Sequence, residues 1–263
     1  MPPSDRWTEP GARAAGYRPV SSLVVTGSGS EVERVLVVTA HPDDVDFAAS
    51  ATVASWTDAG IEVAYCIATY GDAGGFDDTP RDRMPVLREA EQRAAAKAVG
   101  VEDVTFLGYP DGQVYVTHDL RRDLARQIRR FRPQRVLTQS PERNWERIAP
   151  SHPDHLAVGE ATLCAVYPDA RNPFAHPELL ADEGLEAWTV PEVWLMGGPR
   201  PNHFVDVTDT FDRKLAALRA HGSQTGHMAD LEESLRTWHT ANALAGGLPD
   251  GRLAEAYQTT LTL

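Results

Sequence analysis

Val35-Leu36-Val37-Val38-Thr39-Ala40-His41-Pro42-Asp43-Asp44 is the stretch on which the fold turns. Its first five residues are apolar or β-branched, the composition of a strand buried on both faces of a parallel sheet. Helical composition follows from Asp44 to Ala59, Gly60 stops it, and Val63 to Thr69 forms a second apolar run. The unit is βαβ, whose crossover is right-handed.

Outward from this unit, Gly71 to Pro80 is a loop rich in Gly and Asp, and Arg83 to Val99 is helical with Gly100 as its stop. Val104 to Leu107 reads as strand, Asp119 to Arg130 as helix and Val136 to Thr138 as strand. After an irregular stretch, helix is expected from Asp154 to Val166, then a Pro-rich loop over Tyr167 to Pro177. Val193 to Met196 and His203 to Val207 add late strands, with Thr208 or Asp209 capping a helix through Ala220. The alternation predicts a three-layer α/β fold, a mostly parallel sheet with helices on both faces and a C-terminal elaboration. Ligands of such sheets collect beyond the carboxyl ends of the strands. One domain is expected over 1–263, with residues 1–22, which hold Pro2, Pro3, Pro10 and Pro19, as an extended arm against the body or a neighbouring subunit of a homo-oligomer.

Composition removes several classes of function. The 263 residues carry 25 Lys and Arg against 38 Asp and Glu, a formal charge of −13 that repels phosphate backbones and anionic membranes. Nucleic acid and membrane are therefore not expected partners, and no apolar run approaches the roughly 18 residues that cross a bilayer. The densest basic stretch, Arg121 to Arg135, is interleaved with Asp119 and Asp123 and reads as a solvated helix face. Cys66 and Cys164 lie far apart in apolar segments, which predicts buried free thiols rather than a disulfide or a thiolate metal site. The N-terminus lacks the basic-then-apolar pattern of a signal peptide, so the cytoplasm is the expected compartment.

The chemistry sits where the first strand meets its helix. His41 and Asp44, three apart around a helix start, bring an imidazole nitrogen and a carboxylate to one point, a donor pair that suits Zn²⁺. Ser151-His152-Pro153-Asp154-His155 repeats the His-Pro-Asp pattern at another loop-to-helix junction. If both junctions face one cleft, His155 completes a His, Asp, His set with water as the fourth ligand, and His152 stands beside it as a donor. The alternative is two unrelated helix caps. Iron(II) accepts the same nitrogen and oxygen donors.

At these residues the chain resembles the LmbE-like or PIG-L type zinc-dependent N-deacetylases. Thr69-Tyr70-Gly71-Asp72 is similar to that family's Thr-x-Gly-Asp/Glu loop, Arg88 with Glu91 to its Arg-x-x-Glu helix start, and Leu107-Gly108-Tyr109-Pro110-Asp111-Gly112 to its Leu-Gly-x-Pro-Asp-Gly segment. The likeness runs from Val35 to Ala165, and Lys214 with His221-Gly222-Ser223-Gln224 resembles a C-terminal family element. The family's Gly pair after the first motif is replaced by Ala48-Ala49-Ser50-Ala51, which implies tighter or shifted helix packing, and Asp46 is placed to cap or support the ligands.

The resemblance implies a Rossmann-like sheet, with His41, Asp44 and His155 as zinc ligands and Asp43 as the general base. It implies that His152, oriented by Asp154, stabilises the oxyanion, and that Arg88 and Asp111 hold sugar hydroxyls. The implied reaction is removal of an N-acetyl or related N-acyl group from an N-acetylglucosaminyl substrate by zinc-activated water, with a small amino-sugar conjugate as the partner. An amidase acting on a glucosaminyl-inositol thiol conjugate, a natural-product glycoside deacylase and a non-catalytic sugar-binding protein are the rival readings. An unligated carboxylate at Asp43 argues against the last, since binding alone has no use for a base there. Thr26-Gly27-Ser28-Gly29-Ser30 begins like a dinucleotide fingerprint, but Val32 stands where the third Gly belongs, and a turn is expected. Of the other histidines, His203 and His221 are the ones to locate, and Trp145 reads either as a sugar-stacking residue or as ordinary packing.

Overall fold

The computed structural model describes residues 32–76 and 78–262. The expected arm over 1–22 and the turn at Thr26–Ser30 lie outside them. Seven strands, β1 (Arg34–Thr39), β2 (Glu62–Thr69), β3 (Asp103–Tyr109), β4 (Arg135–Gln139), β5 (Glu192–Met196), β6 (His203–Asp206) and β7 (Ala254–Leu261), form one sheet in the order β3-β2-β1-β4-β5-β7-β6. The five strands from β3 to β5 pair in parallel, while β7 lies antiparallel between β5 and β6. The C-terminal elaboration thus extends the same sheet.

Both faces of β1 are buried, which is why its sequence is an unbroken apolar run. Leu36 and Val38 pack with Leu124 and Ile128 of α4 (His118–Phe131) and Val158 of α5 (Pro153–Cys164). Val35 and Val37 pack on the other side with Val45 of α1 (Asp44–Ala48), Val53 of α2 (Ser50–Asp58) and Ala95 of α3 (Met84–Ala98). A short α6 (Pro177–Ala181) follows, and α7 (Phe211–Ala220), α8 (Gly222–Thr225) and α9 (Leu231–Ala245) complete the α-helices among the described residues. Gly159 lets α5 lie against β4, because a Cβ there would collide with the Gln139 carbonyl oxygen.

Three expectations need correction. The helix predicted from Asp44 to Ala59 is two helices, broken at Ala49 (φ −147°, ψ −1°). The free N–H groups of Ala51 and Thr52 at the new start are taken by the Glu255 carboxylate at 3.3 and 2.8 Å, so a distant buried anion caps α2. The basic stretch is not uniformly solvated: Arg129 is buried and donates to the carbonyls of Asp169, Ala170, Asn172 and Ala175. Arg121, Arg122, Arg126, Arg130, Arg132 and Arg135 each meet a carboxylate. Cys66 is buried and free, and burial pushes its thiol up to about 12, whereas Cys164 is partly exposed.

Candidate active site

Strand order reverses between β1 and β4, and the crevice beyond their carboxyl ends is where ligands of such sheets bind. The loops leaving these two strands bring the two His-Pro-Asp motifs face to face. Gln139, the last residue of β4, ties them together: its Oε1 accepts the Ala40 N–H at 2.9 Å and its Nε2 donates to Asp44 Oδ2 at 3.0 Å.

Three predicted residues converge. His41 Nδ1 lies 3.3 Å from His155 Nε2 and 3.4 Å from Asp44 Oδ2, and His155 Nε2 lies 3.1 Å from Asp44 Oδ1. A tetrahedral ion with bonds of about 2.0–2.2 Å separates its ligand atoms by about 3.3–3.6 Å, so this triangle has the size of one face of such a centre. The other ring nitrogens are committed. His155 Nδ1 meets the Pro150 carbonyl at 3.2 Å, and His41 Nε2 meets Asp154 Oδ2 at 3.1 Å and Asp111 Oδ1 at 3.0 Å. Outer nitrogens that carry protons leave the two inner ones as lone pairs beside a carboxylate, an arrangement that calls for a cation. The same carboxylates also draw protons toward the imidazoles. Burial lowers His41, but Asp44, Asp111 and Asp154 outweigh it and hold the imidazole up to about 12. Asp44 is held well below the usual carboxylate range, because His155 and His41 outweigh its burial.

Asp154 meets His152 through its backbone and His41 through its carboxylate. Its carboxylate faces His41 and also accepts the N–H groups of Gly112 at 2.7 Å and Val114 at 3.2 Å. His152 receives only the Asp154 backbone N–H, at its Nδ1. Burial and the neighbouring His41 and His155 shift His152 down, which favours the neutral ring. Because Nδ1 accepts, Nε2 carries the proton and remains a donor. His152 also stands in a cluster with His41 and His155 whose ligand atoms lie within 4.8 Å of one another, and a second such cluster joins His41 to Asp111 and Asp154.

Asp43 stands beside the triangle in a left-handed conformation (φ 79°, ψ −23°). Its N–H donates to Gln92 Oε1 at 2.8 Å, its carbonyl accepts from Asp46 and Phe47 at 2.9 Å each, and its carboxylate meets Arg88 Nη2 at 3.2 Å. Burial pushes the Asp43 carboxyl up to about 7, against the pull of Arg88. Arg88 is itself buried and donates to the carbonyls of Gly71 and Pro42. Gly71 (φ +69°) is required here, since any Cβ would collide with the guanidinium. Asp111 accepts the Ala73 N–H at 2.9 Å in addition to facing His41. Asp111 therefore spends both carboxylate oxygens on the protein, whereas Arg88 spends Nη1 and Nη2 and keeps a buried Nε without a partner among the described residues.

Several supporting residues carry no motif. Gln92 donates its amide to Asp46 Oδ2 at 2.8 Å, and His221 Nε2 meets the same oxygen at 2.8 Å, so Asp46 supports the Asp43 turn through Gln92. The C-terminal element that resembles the family's own clamps this layer. Lys214 Nζ donates to the Phe47 carbonyl and to Glu255, each at 2.7 Å, while Ser223 donates through N and Oγ to Glu91. His203 lies away from the cluster, edge-on to Trp194, and Trp145 is 82% exposed on the loop before His152.

An open α/β sheet with a His and Asp cluster able to hold a metal ion at its switch point defines the class of this protein. Residues 36–166 match the PIG-L family, described as GlcNAc-PI de-N-acetylase, and the chain belongs to that family. A diacetylchitobiose deacetylase from Thermococcus kodakarensis is 31% identical over 196 residues, 74% of this chain and 71% of that one. A probable N-acetyl-alpha-D-glucosaminyl L-malate deacetylase from Bacillus cereus is 31% identical over 204 residues, 74% of this chain and 86% of that one. The solved N,N'-diacetylchitobiose deacetylase of Pyrococcus horikoshii superposes with a TM-score of 0.79 at 27% identity, covering 88% of this chain and 84% of that chain. No helix among the described residues is long and apolar enough to cross a membrane.

Proposed function

We propose that this chain is a zinc-dependent N-deacetylase acting on N-acetylglucosaminyl compounds, with His41, Asp44 and His155 as the ligands and Asp43 as the base. The observation that carries this reading is the triangle of His41 Nδ1, Asp44 and His155 Nε2 with an unligated, buried Asp43 beside it. Two imidazoles and one carboxylate are the donor set of a catalytic zinc with an open position. When bound, the metal supplies Lewis acidity and activates water toward an amide carbonyl. Asp43, pushed toward neutral pH by burial, is poised to accept a proton during attack and to return it to the departing amine. His152, neutral with its proton on Nε2, donates to the carbonyl oxygen as charge develops there. Asp154 and Asp111 act through His41, fixing its tautomer. The relatives' substrates share an N-acetylated glucosamine, which is the class assigned to this chain.

Amine release from a panel of N-acetylglucosaminides tests this, run as purified, after chelation and after zinc is restored. Release that chelation abolishes and zinc restores is expected. Release indifferent to chelation, or no bound divalent metal, overturns the reading.

A further inference from the structure

A cavity of about 410 Å³ opens on the Asp44 and His155 side of the cluster, and neither Asp43 nor Arg88 lines it. Phe47, Pro150 and Trp238 give it apolar walls, and Asn144, Arg147 and His239 give it polar ones. Its charges are settled within the protein with one exception. Asp44 faces His41 and His155, the buried Glu255 takes Lys214 at 2.7 Å, and His239 spends Nδ1 on the Leu235 carbonyl at 2.8 Å. Arg147 has no carboxylate or carbonyl partner among the described residues, and its guanidinium lies over the Trp238 ring at 5.2 Å. Arg143, on the same loop, also has no carboxylate or carbonyl partner and sits over Trp145 at 5.6 Å.

Among the described residues Arg83, which does not line this cavity, is the one other arginine without such a partner. Comparably exposed arginines such as Arg130, Arg200 and Arg236 have each found a carboxylate, as expected where acids outnumber bases by thirteen. A cation–π contact tethers a guanidinium while leaving its N–H groups available to a planar or tetrahedral anion. A neutral occupant would leave unused the one uncompensated charge among the described residues that line the cavity. We propose that the part of the substrate entering this cavity carries an anionic group, a carboxylate or a phosphate, and that Arg147 receives it. This rests on the deacetylase reading, since the anion is attached to the same sugar as the scissile amide.

The test compares amine release from N-acetylglucosaminyl L-malate, N-acetylglucosamine 1-phosphate and the neutral methyl N-acetylglucosaminide, in wild type, Arg147→Gln and Arg147→Lys. Wild type is expected to favour at least one anionic probe about tenfold or more in kcat/KM, through KM, and which one is favoured assigns carboxylate or phosphate. Arg147→Gln should erase that preference by raising KM for the anionic probe, Arg147→Lys should keep part of it, and added salt should weaken it. No preference in wild type, or a preference that survives Arg147→Gln, overturns the proposal. Calorimetric binding of glucosaminyl L-malate and glucosamine 1-phosphate separates it from the parent reading. If no probe is hydrolysed, the deacetylase reading fails, whereas binding lost in Arg147→Gln still upholds anion recognition. Binding that is absent, or the same in both proteins, refutes it.

Discussion

Asp154→Asn separates two jobs that one carboxylate could have. Asp154 is fully buried, and its two oxygens serve three donors: His41 Nε2 at 3.1 Å, the Gly112 N–H at 2.7 Å and the Val114 N–H at 3.2 Å. An amide of the same size keeps one acceptor oxygen and turns an NH₂ toward at least one of those donors. That N–H then loses its acceptor at a cost of about 1–3 kcal/mol. At about 2 °C per kcal/mol for a chain of this length, the melting temperature falls by about 2–6 °C. A second effect is on the metal, because one of the two negative charges that fix the His41 tautomer and raise the basicity of Nδ1 is gone. Loss of such a partner weakens metal binding about 10- to 100-fold, or about 1.4–2.7 kcal/mol. A zinc competition titration against a chromophoric chelator, run on wild type and variant at one temperature well below both melts, measures this directly. If zinc affinity stays within twofold of wild type while kcat falls, Asp154 acts on His152 after all, and the reasoning from the His41 contact is refuted.

Asp43→Asn should keep zinc and fold but lower kcat by about 10²- to 10⁴-fold, checked by metal analysis alongside amine release. His155→Ala, by contrast, should lose the metal as well, which the same chelator titration reads. Glu255→Leu strands the buried Lys214 and should cost about 3–5 kcal/mol at neutral pH, or about 6–10 °C by thermal melt, with Lys214→Met in the same chain recovering much of it. Glu255 also sets an acid dependence. Burial would raise its carboxyl, but Lys214 and His239 outweigh burial and hold it far below the ordinary value of about 4.3. The folded-state value being the lower one, its stabilisation is complete above that ordinary value and is lost as pH falls further toward the folded one. Denaturant titrations at pH 7 and pH 3 should therefore show the gap between wild type and Glu255→Leu narrowing on acidification, and a constant gap would count against the ion pair.

The parallel half of the sheet was legible because its strands are buried on both faces. β1, β2 and β4 can satisfy that only with continuous apolar runs, and such runs are visible in one dimension. β7 gave no such signal although it lies inside the sheet, because Ala254-Glu255-Ala256-Tyr257-Gln258 puts a fully buried acid where a hydrophobe is expected. That acid is tolerated only because Lys214, Tyr257 and the start of α2 surround it, and those partners come from three separate places in the chain. The same contact explains why one predicted helix became two. In the site, His41, Asp44 and His155 were readable since both junctions repeat one pattern. Gln92 and Gln139, which hold that pattern in shape, belong to no motif, and their roles exist only once α3 and β4 have been brought beside the turn. Asp154 meets His152, its partner by resemblance, through the backbone N–H, while the helix start turns its carboxylate toward His41.

Asp43 shows how the two levels join. Left-handed backbone at a residue other than glycine is uncommon, and Asp and Asn tolerate it better than most side chains. A glycine would suit the backbone here but would leave the site without its base. The protein keeps the carboxylate and restrains the turn from three sides: Gln92 on its N–H, the first turn of α1 on its carbonyl and Arg88 on its side chain. Gln92 in turn leans on Asp46, and Asp46 on His221, which arrives from beyond α7. The C-terminal segment therefore bears on the geometry of the proposed base without touching it. That is also why Asn is the informative replacement: it tolerates the same backbone and offers Arg88 an acceptor of the same shape, so a loss of turnover there would report the missing base rather than a collapsed turn.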